Sequence, residues 1–180
     1  DNKDGQTNVP AGTDFVAIAA GSAHEVALRK DGSLAAWGNN EYGQTNVPSG
    51  TDFVAIAAGA NHSLALRKDG SLAAWGNNDN GQTKVPSGRD FVAIAAGALH
   101  SLALRGDASV REAPSVRLNA TPTERNVRDD LEDGTLAAWG FNAVGQTNVP
   151  SGTNFIAIAA GGYHSLALRR AGSHAAGLLN

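Results

Sequence analysis

Hydrophobic and polar positions recur along the chain with a period of 38 residues. Residues 1–38 and 39–76 share 30 of 38 positions, a third copy occupies 77–140 and a fourth 141–178. Within the second copy, Phe53-Val54-Ala55-Ile56-Ala57-Ala58 is a six-residue apolar run without alternation, which predicts a strand covered on both faces. After a tight turn at Gly59, His62–Arg67 reads as a second strand with Leu64 and Leu66 on one face. Lys68-Asp69-Gly70 is a hairpin signal, and Ser71–Trp75 reads as a third strand ended by Gly76. Residues 77–81 turn again, and Gln82-Thr83-Lys84-Val85-Pro86 is a short Pro-ended segment suited to an outer edge. No 3.6-residue period appears. Three to four short strands per unit, repeated radially, is the pattern of a β-propeller blade. The predicted fold class is therefore all-β: four propeller-type blades forming a partial or small propeller, in a single domain over 1–180.

The third copy is 26 residues longer than the others. The extra stretch, 106–132, replaces a single Lys at the second turn and so projects from the end opposite the first and third turns. Thr121 as N-cap, Pro122 behind it and Glu124 completing a capping box predict a short helix to about Glu132.

Composition narrows the function classes. Gly supplies 22 of the 180 residues and charged residues 17%, a balance that suits a turn-rich compact body. There is no Cys, which excludes a disulfide scaffold, thiol chemistry and Cys-ligated metal sites. A formal charge of −3 argues against a nucleic-acid or anionic-membrane binder. No apolar run approaches the ~18 residues a spanning helix needs. Residue 1 is not Met, so the chain reads as a processed or excerpted piece.

The pattern Trp75-Gly76-Asn77, then Gly81-Gln82, with Ala57-Ala58-Gly59-x-x-His62-Ser63-Leu64-Ala65-Leu66, resembles the regulator-of-chromosome-condensation repeat. The Gly-Gln-Thr-x-Val-Pro stretch at 43–48, 81–86 and 145–150 is most similar to the bacterial branch that includes a secreted β-lactamase inhibitor. The resemblance implies a seven-bladed propeller used as a binding disc without catalysis, and a secreted or cell-surface bacterial setting. Two departures stand out. Four units are present where that family usually has seven. Gly177 stands where Trp37, Trp75 and Trp139 stand in the other units, and His174 where Leu is expected. The Gln6–Pro10 segment is positioned in sequence to complete the last blade, and a homodimer is one way to close the ring.

Comparing the units with each other locates the candidate site. Drift concentrates in the turn after the first strand, which includes Asn61, Leu99 and Tyr163, and in the turn after the third, which includes Glu41, Tyr42, Asp79, Asn80 and Phe141. Strand direction reverses at each turn, so both sets fall at one end of the blades. Phe15, Phe53, Phe91, Phe155 and all three Trp repeat with the unit and belong to the core. The remaining aromatics, Tyr42, Phe141 and Tyr163, all fall in the drifting turns and are the expected anchors for a protein partner.

The repeated His24, His62, His100 and His164 suggest a metal ring, but ligands must converge within about 2.1 Å of one ion. Each is expected to bond the backbone beside its own turn instead. Adjacent Ser63, Ser101 and Ser165 point to the opposite face of the strand. No nucleophile–base cluster, cofactor or metal is implied. The expected function is a non-enzymatic protein-binding scaffold, with enzyme inhibition as its specific form. A GTPase exchange factor and a structural segment of a larger surface protein stay open as alternatives.

Overall fold

The computed structural model describes residues 2–106 and 134–169, which carry eleven strands and no helix. Strands β1 (Phe15–Ala20), β2 (His24–Arg29) and β3 (Leu34–Gly38) form the first antiparallel sheet. The second holds β4 (Phe53–Ala58), β5 (His62–Arg67) and β6 (Leu72–Gly76), and the third β7 (Phe91–Ala96), β8 (His100–Arg105) and β9 (Thr135–Gly140). Among the described residues the fourth pairs β10 (Phe155–Ala160) with β11 (Ser165–Arg169). Each sheet is one repeat unit, and the units pack in chain order. The middle strands β2, β5 and β8 lie against the next unit's first strand, and the first strands β1, β4, β7 and β10 touch in sequence.

The hairpin between the second and third strands folds where its chemistry dictates. Gly32 and Gly70 adopt φ of 84° and 80°, the left-handed region that a side chain resists, and each returns its N–H to the carbonyl of Arg29 or Arg67. The Asp31 carboxylate caps the turn by accepting from the backbone N–H and the hydroxyl of Ser33. The carbonyls of Gly32 and Gly70 then accept from the N–H of Phe53 and Phe91, so each hairpin positions the next unit's first strand.

The core lies between units. Leu28, with Ala17 and Leu34, packs on Phe53, Ala65, Ile56 and Trp75 of the following unit. Leu66, with Ala55 and Leu72, repeats this against Phe91, Ala103, Ile94 and Trp139. Burying one such Phe or Leu contributes about 1.5–3 kcal/mol. Arg67 lays its guanidinium 4.3 Å over the Phe53 ring and reaches Asp52 at 2.7 Å. The same trio recurs as Arg29, Phe15 and Asp14, and as Arg105, Phe91 and Asp90. In the fourth unit Asn154 stands at the aspartate position, and Arg169 keeps its place over the Phe155 ring and donates to the carbonyl of Ser151, as Arg105 does to that of Ser87.

Several expectations change. The first strand is an edge strand rather than one covered on both faces: a bulge between Phe53 and Ala55 turns Val54 out to 51% exposure. The strand buried throughout is the middle one, with His62, Ser63, Leu64, Ala65 and Leu66 all inside. The blade has three strands, because the Gln-Thr-x-Val-Pro stretch forms a turn and an extended strap outside any sheet. The Gln6–Pro10 segment is held by the first unit, where Trp37 donates its indole N–H to the Gln6 carbonyl at 2.9 Å. The long insertion leaves after Arg105 and returns at Thr135, which face each other in the ladder. The helix expected over 121–132 lies outside the described residues.

Candidate functional site

At one end of the blades, the turn after the first strand and the strap after the third strand are joined by main-chain hydrogen bonds. Asn39, Asn77 and Phe141 donate their N–H to the carbonyls of Ala23, Asn61 and Leu99, at 2.7, 2.8 and 2.9 Å. The first turns are also tied to one another across units: Ser22, Ala60 and Ala98 donate to the carbonyls of Ala60, Ala98 and Gly162, each at 3.1 Å. The two drifting sets of residues therefore form one continuous rim.

A small side-chain network stiffens each strap. Gln44, which is fully buried, donates to the Asn39 carboxamide oxygen at 2.7 Å and accepts the Tyr42 N–H at 2.8 Å. Gln82 does the same with Asn77 and Asn80, at 2.6 and 2.9 Å. The Asp79 carboxylate accepts from Asn77 at 2.7 Å. In the fourth unit Phe141 occupies the Asn position. The Gln146 side chain still accepts the Val144 N–H, but its own NH₂ is buried without a partner.

The rim carries the candidate residues in groups. Glu41 and Tyr42 lie on the strap beside the first unit's turn, and Asn61 is joined to the strap holding Asp79 and Asn80. Leu99 is joined to Phe141, and Tyr163 lies in the fourth unit's turn beside Gly162. Tyr42 and Tyr163 are exposed, at 44% and 61%, as are Glu41 and Asp79. Phe141, Asn61, Leu99 and Asn80 are half-buried.

The histidines bond differently from expectation. His24, His62 and His100 are buried, and their Nε2 atoms meet the hydroxyls of Ser63, Ser101 and Ser165 of the next unit, at 2.8, 3.0 and 2.9 Å. The partner is a neighbouring blade's side chain because the turn backbone is already engaged in the inter-unit bonds. Ser101 and Ser165 donate their hydroxyl protons to the carbonyls of Gln82 and Gln146. The His62 and His100 Nε2–H groups must therefore donate to the serine oxygens. That is the reverse of a nucleophile–base pair, in which the serine proton goes to the imidazole. The Nδ1 atoms of all three have no partner, and burial lowers their pKa values. For His62 the value falls to about 4, chiefly by desolvation and then by the neighbouring His24 and His100. Gly59 is required beside this ring, since a Cβ there would meet the imidazole of His62 and the carbonyl of Gly97. Among the described residues no three His, Asp or Glu side chains gather to hold a metal ion.

Sequence reasoning missed one feature, a groove of about 620 Å³ between the third and fourth units. Leu136, Gln146, Phe155, Ile158, Tyr163 and Ala167 are among its walls.

Comparison with known proteins supports the fold. Residues 15–44 and 53–82 each match the model of the regulator of chromosome condensation (RCC1) repeat. No curated protein matches the chain significantly. Yeast RCC1 (Prp20), crystallised with Kap60, is similar with a TM-score of 0.61 at 22% identity, over 89% of this chain and 43% of that one. The CRINKLY WD40 ectodomain of the Arabidopsis thaliana receptor kinase ACR4 gives a TM-score of 0.59 at 22% identity, over 87% and 46%. The ectodomain of Physcomitrella patens receptor kinase CR4 gives 0.59 at 20%, over 87% and 38%. The chain thus spans less than half the length of these structures, and at such identities the likeness is one of fold. Two units match the regulator of chromosome condensation repeat, the same sheet, turn and inter-unit contacts continue in the others, and the chain is folded as β-propeller-type blades.

Proposed function

We propose that the chain is a non-catalytic scaffold that binds a protein partner through the rim of first turns and straps. Tyr42, Phe141 and Tyr163 are its anchors, with Asn61, Leu99, Asp79, Asn80 and Glu41 around them. The observation that carries the reading is the hydrogen bonding of strap to turn in three successive units, with the three non-repeating aromatics on that rim. Aromatic side chains on backbone that is already held lose little conformational freedom on binding. Inhibition of an enzyme by this rim is the specific form of the reading.

A second reading, regulation of a GTPase, draws on the fold likeness to Prp20p of Saccharomyces cerevisiae, whose structure was described with its binding to Gsp1p and histones. The acidic Glu41 and Asp79 and the net charge of −3 fit a basic protein patch better than nucleic acid.

The test is surface plasmon resonance against immobilised Gsp1p, histones and a panel of secreted hydrolases, with nucleotide release from Gsp1p measured in parallel. For any binder found, the Tyr42→Ala, Phe141→Ala, Tyr163→Ala triple variant is expected to lose about ten-thousandfold in affinity, as three anchors of ~2 kcal/mol each would require. Unchanged affinity in a variant with the wild-type circular dichroism spectrum refutes the rim. Accelerated nucleotide release selects the second reading.

A further inference from the structure

We infer that the junction of Leu99 with Phe141 sets the specificity of the rim by taking an uncharged apolar side chain of a protein partner. This rests on the rim reading above and names the chemistry that one part of the rim selects. The first three units build the junction of turn and strap in the same way. Ala23 meets Asn39, Asn61 meets Asn77, and Leu99 meets Phe141. In each, the strap residue donates its N–H to the turn residue's carbonyl, so the backbone is shared and the side chains differ. At the third junction both side chains are large and apolar, and both are half-buried.

Position 141 has a structural task in the other units. The Asn39 carboxamide oxygen accepts from the Gln44 side chain at 2.7 Å and from the Glu41 N–H at 3.1 Å. That of Asn77 accepts from the Gln82 side chain at 2.6 Å and from the Asp79 N–H at 3.2 Å. These oxygens hold the strap's turn and satisfy a fully buried glutamine. A phenyl ring offers no such acceptor. Gln146 is buried as well, at 5% exposure, and among the described residues its NH₂ has no partner. The missing acceptor belongs to the strap itself, five residues before the glutamine as in both preceding units. A buried amide without its acceptor lowers stability. The strap does not need the ring to stay in place, because the main-chain bond from residue 141 to Leu99 matches those of the asparagine units. A surface residue that breaks the rule of its own repeat at such a cost is kept for what it touches.

Charge gives the class of contact. Strap 39–48 carries Glu41 and strap 77–86 carries Asp79 and Lys84, whereas 141–150 has no charged residue. The adjoining turn, Gly97-Ala98-Leu99, is uncharged too. An ionised group brought to this junction would lose water and find no counter-ion. An apolar side chain would bury against Leu99 and the Phe141 ring. At the Asn61–Asn77 junction the same apolar group would meet carboxamides and the Asp79 carboxylate. The rim therefore discriminates along its length.

The experiment titrates the full ¹⁵N-labelled chain with N-acetyl-leucinamide, N-acetyl-phenylalaninamide and N-acetyl-argininamide, read by amide NMR shifts. The two apolar probes are expected to shift Leu99, Phe141 and Asn142 saturably and to spare Asn61, Asn77 and Asn78. The arginine probe should bind at least tenfold more weakly. Phe141→Asn should weaken the apolar probes at least tenfold while raising the urea midpoint above wild type, because its carboxamide restores the acceptor for Gln146. Phe141→Leu, apolar but without an acceptor, should keep the probe shifts and gain no stability. A Phe141→Asn midpoint at or below wild type overturns the inferred cost, and with it the proposal. Absent shifts at the junction, or equal binding of the arginine probe, overturn the proposal as well. The rim reading fails separately, when the triple variant keeps its affinity for a protein binder. A triple variant that loses affinity, beside a junction that no apolar probe shifts, leaves the rim standing and removes this role from Leu99 and Phe141.

Discussion

Each buried imidazole is held at one nitrogen and bare at the other. In His62 and His100 the Nε2–H serves the next blade's serine, while Nδ1 lies in a pocket closed by glycine, where a proton would be neither hydrated nor paired. The stability of the chain should therefore depend on pH. His62 has a folded pKa of about 4 against an ordinary 6.5. Between those values the unfolded chain takes up a proton that the folded chain refuses, so stability is full above about pH 6.5 and falls as pH drops towards 4. For this one residue the loss amounts to about 3 kcal/mol, and His24 and His100 act in the same direction. Urea midpoints measured from pH 7.5 to 4.5 should fall steadily, and His62→Gln should flatten the profile. A flat wild-type profile would show that the imidazoles take protons freely inside the fold. The repeated His and Ser were legible as a pattern, yet their pairing was not. The two partners lie 39 residues apart in adjacent units, and no argument within one strand brings them together.

At the scale of the element, hairpins and strand order could be read directly, because Asp-Gly turns and short apolar runs act locally. The strap was harder. Its Val-Pro ending suggested a fourth strand, but its backbone is engaged by turns within itself and its Gln carbonyl by the Trp of the third strand. The Trp–strap bond thus replaces a ladder. Trp75→Phe keeps most of the ring and deletes the donor, leaving the carbonyl of fully buried Gln44 short of a partner. We expect a loss of about 1–2 kcal/mol in urea unfolding. Trp37→Phe should cost less, because its acceptor, Gln6, lies in a largely exposed stretch where water can substitute. Equal losses at both positions would assign the effect to ring packing instead. The rim belongs to this scale as well. The sequence placed both drifting turns at one end by strand alternation alone, whereas the main-chain bonds that fuse them needed the fold.

Among the described residues, the main contacts between units join neighbours in the row, so local stability should follow position in it. The same residue type then has different consequences in different units, a comparison that repeats make unusually direct. Leu66 is 4% exposed and packed on Phe91 and Ala103 of the third unit, whereas Leu168 holds the equivalent place in the fourth unit at 59% exposure. Leu66→Ala removes buried methyl groups and leaves a cavity, an expected loss of about 2–5 kcal/mol. Leu168→Ala removes atoms that already meet solvent, and less than about 1 kcal/mol is expected. The repeat alone predicts equal losses, since the two positions are indistinguishable in the pattern; the difference arises from the packing, which covers Leu66 and leaves Leu168 exposed. Urea midpoints of the two variants decide between these views. A Leu168→Ala loss as large as that of Leu66→Ala would mean that β11 is covered in solution.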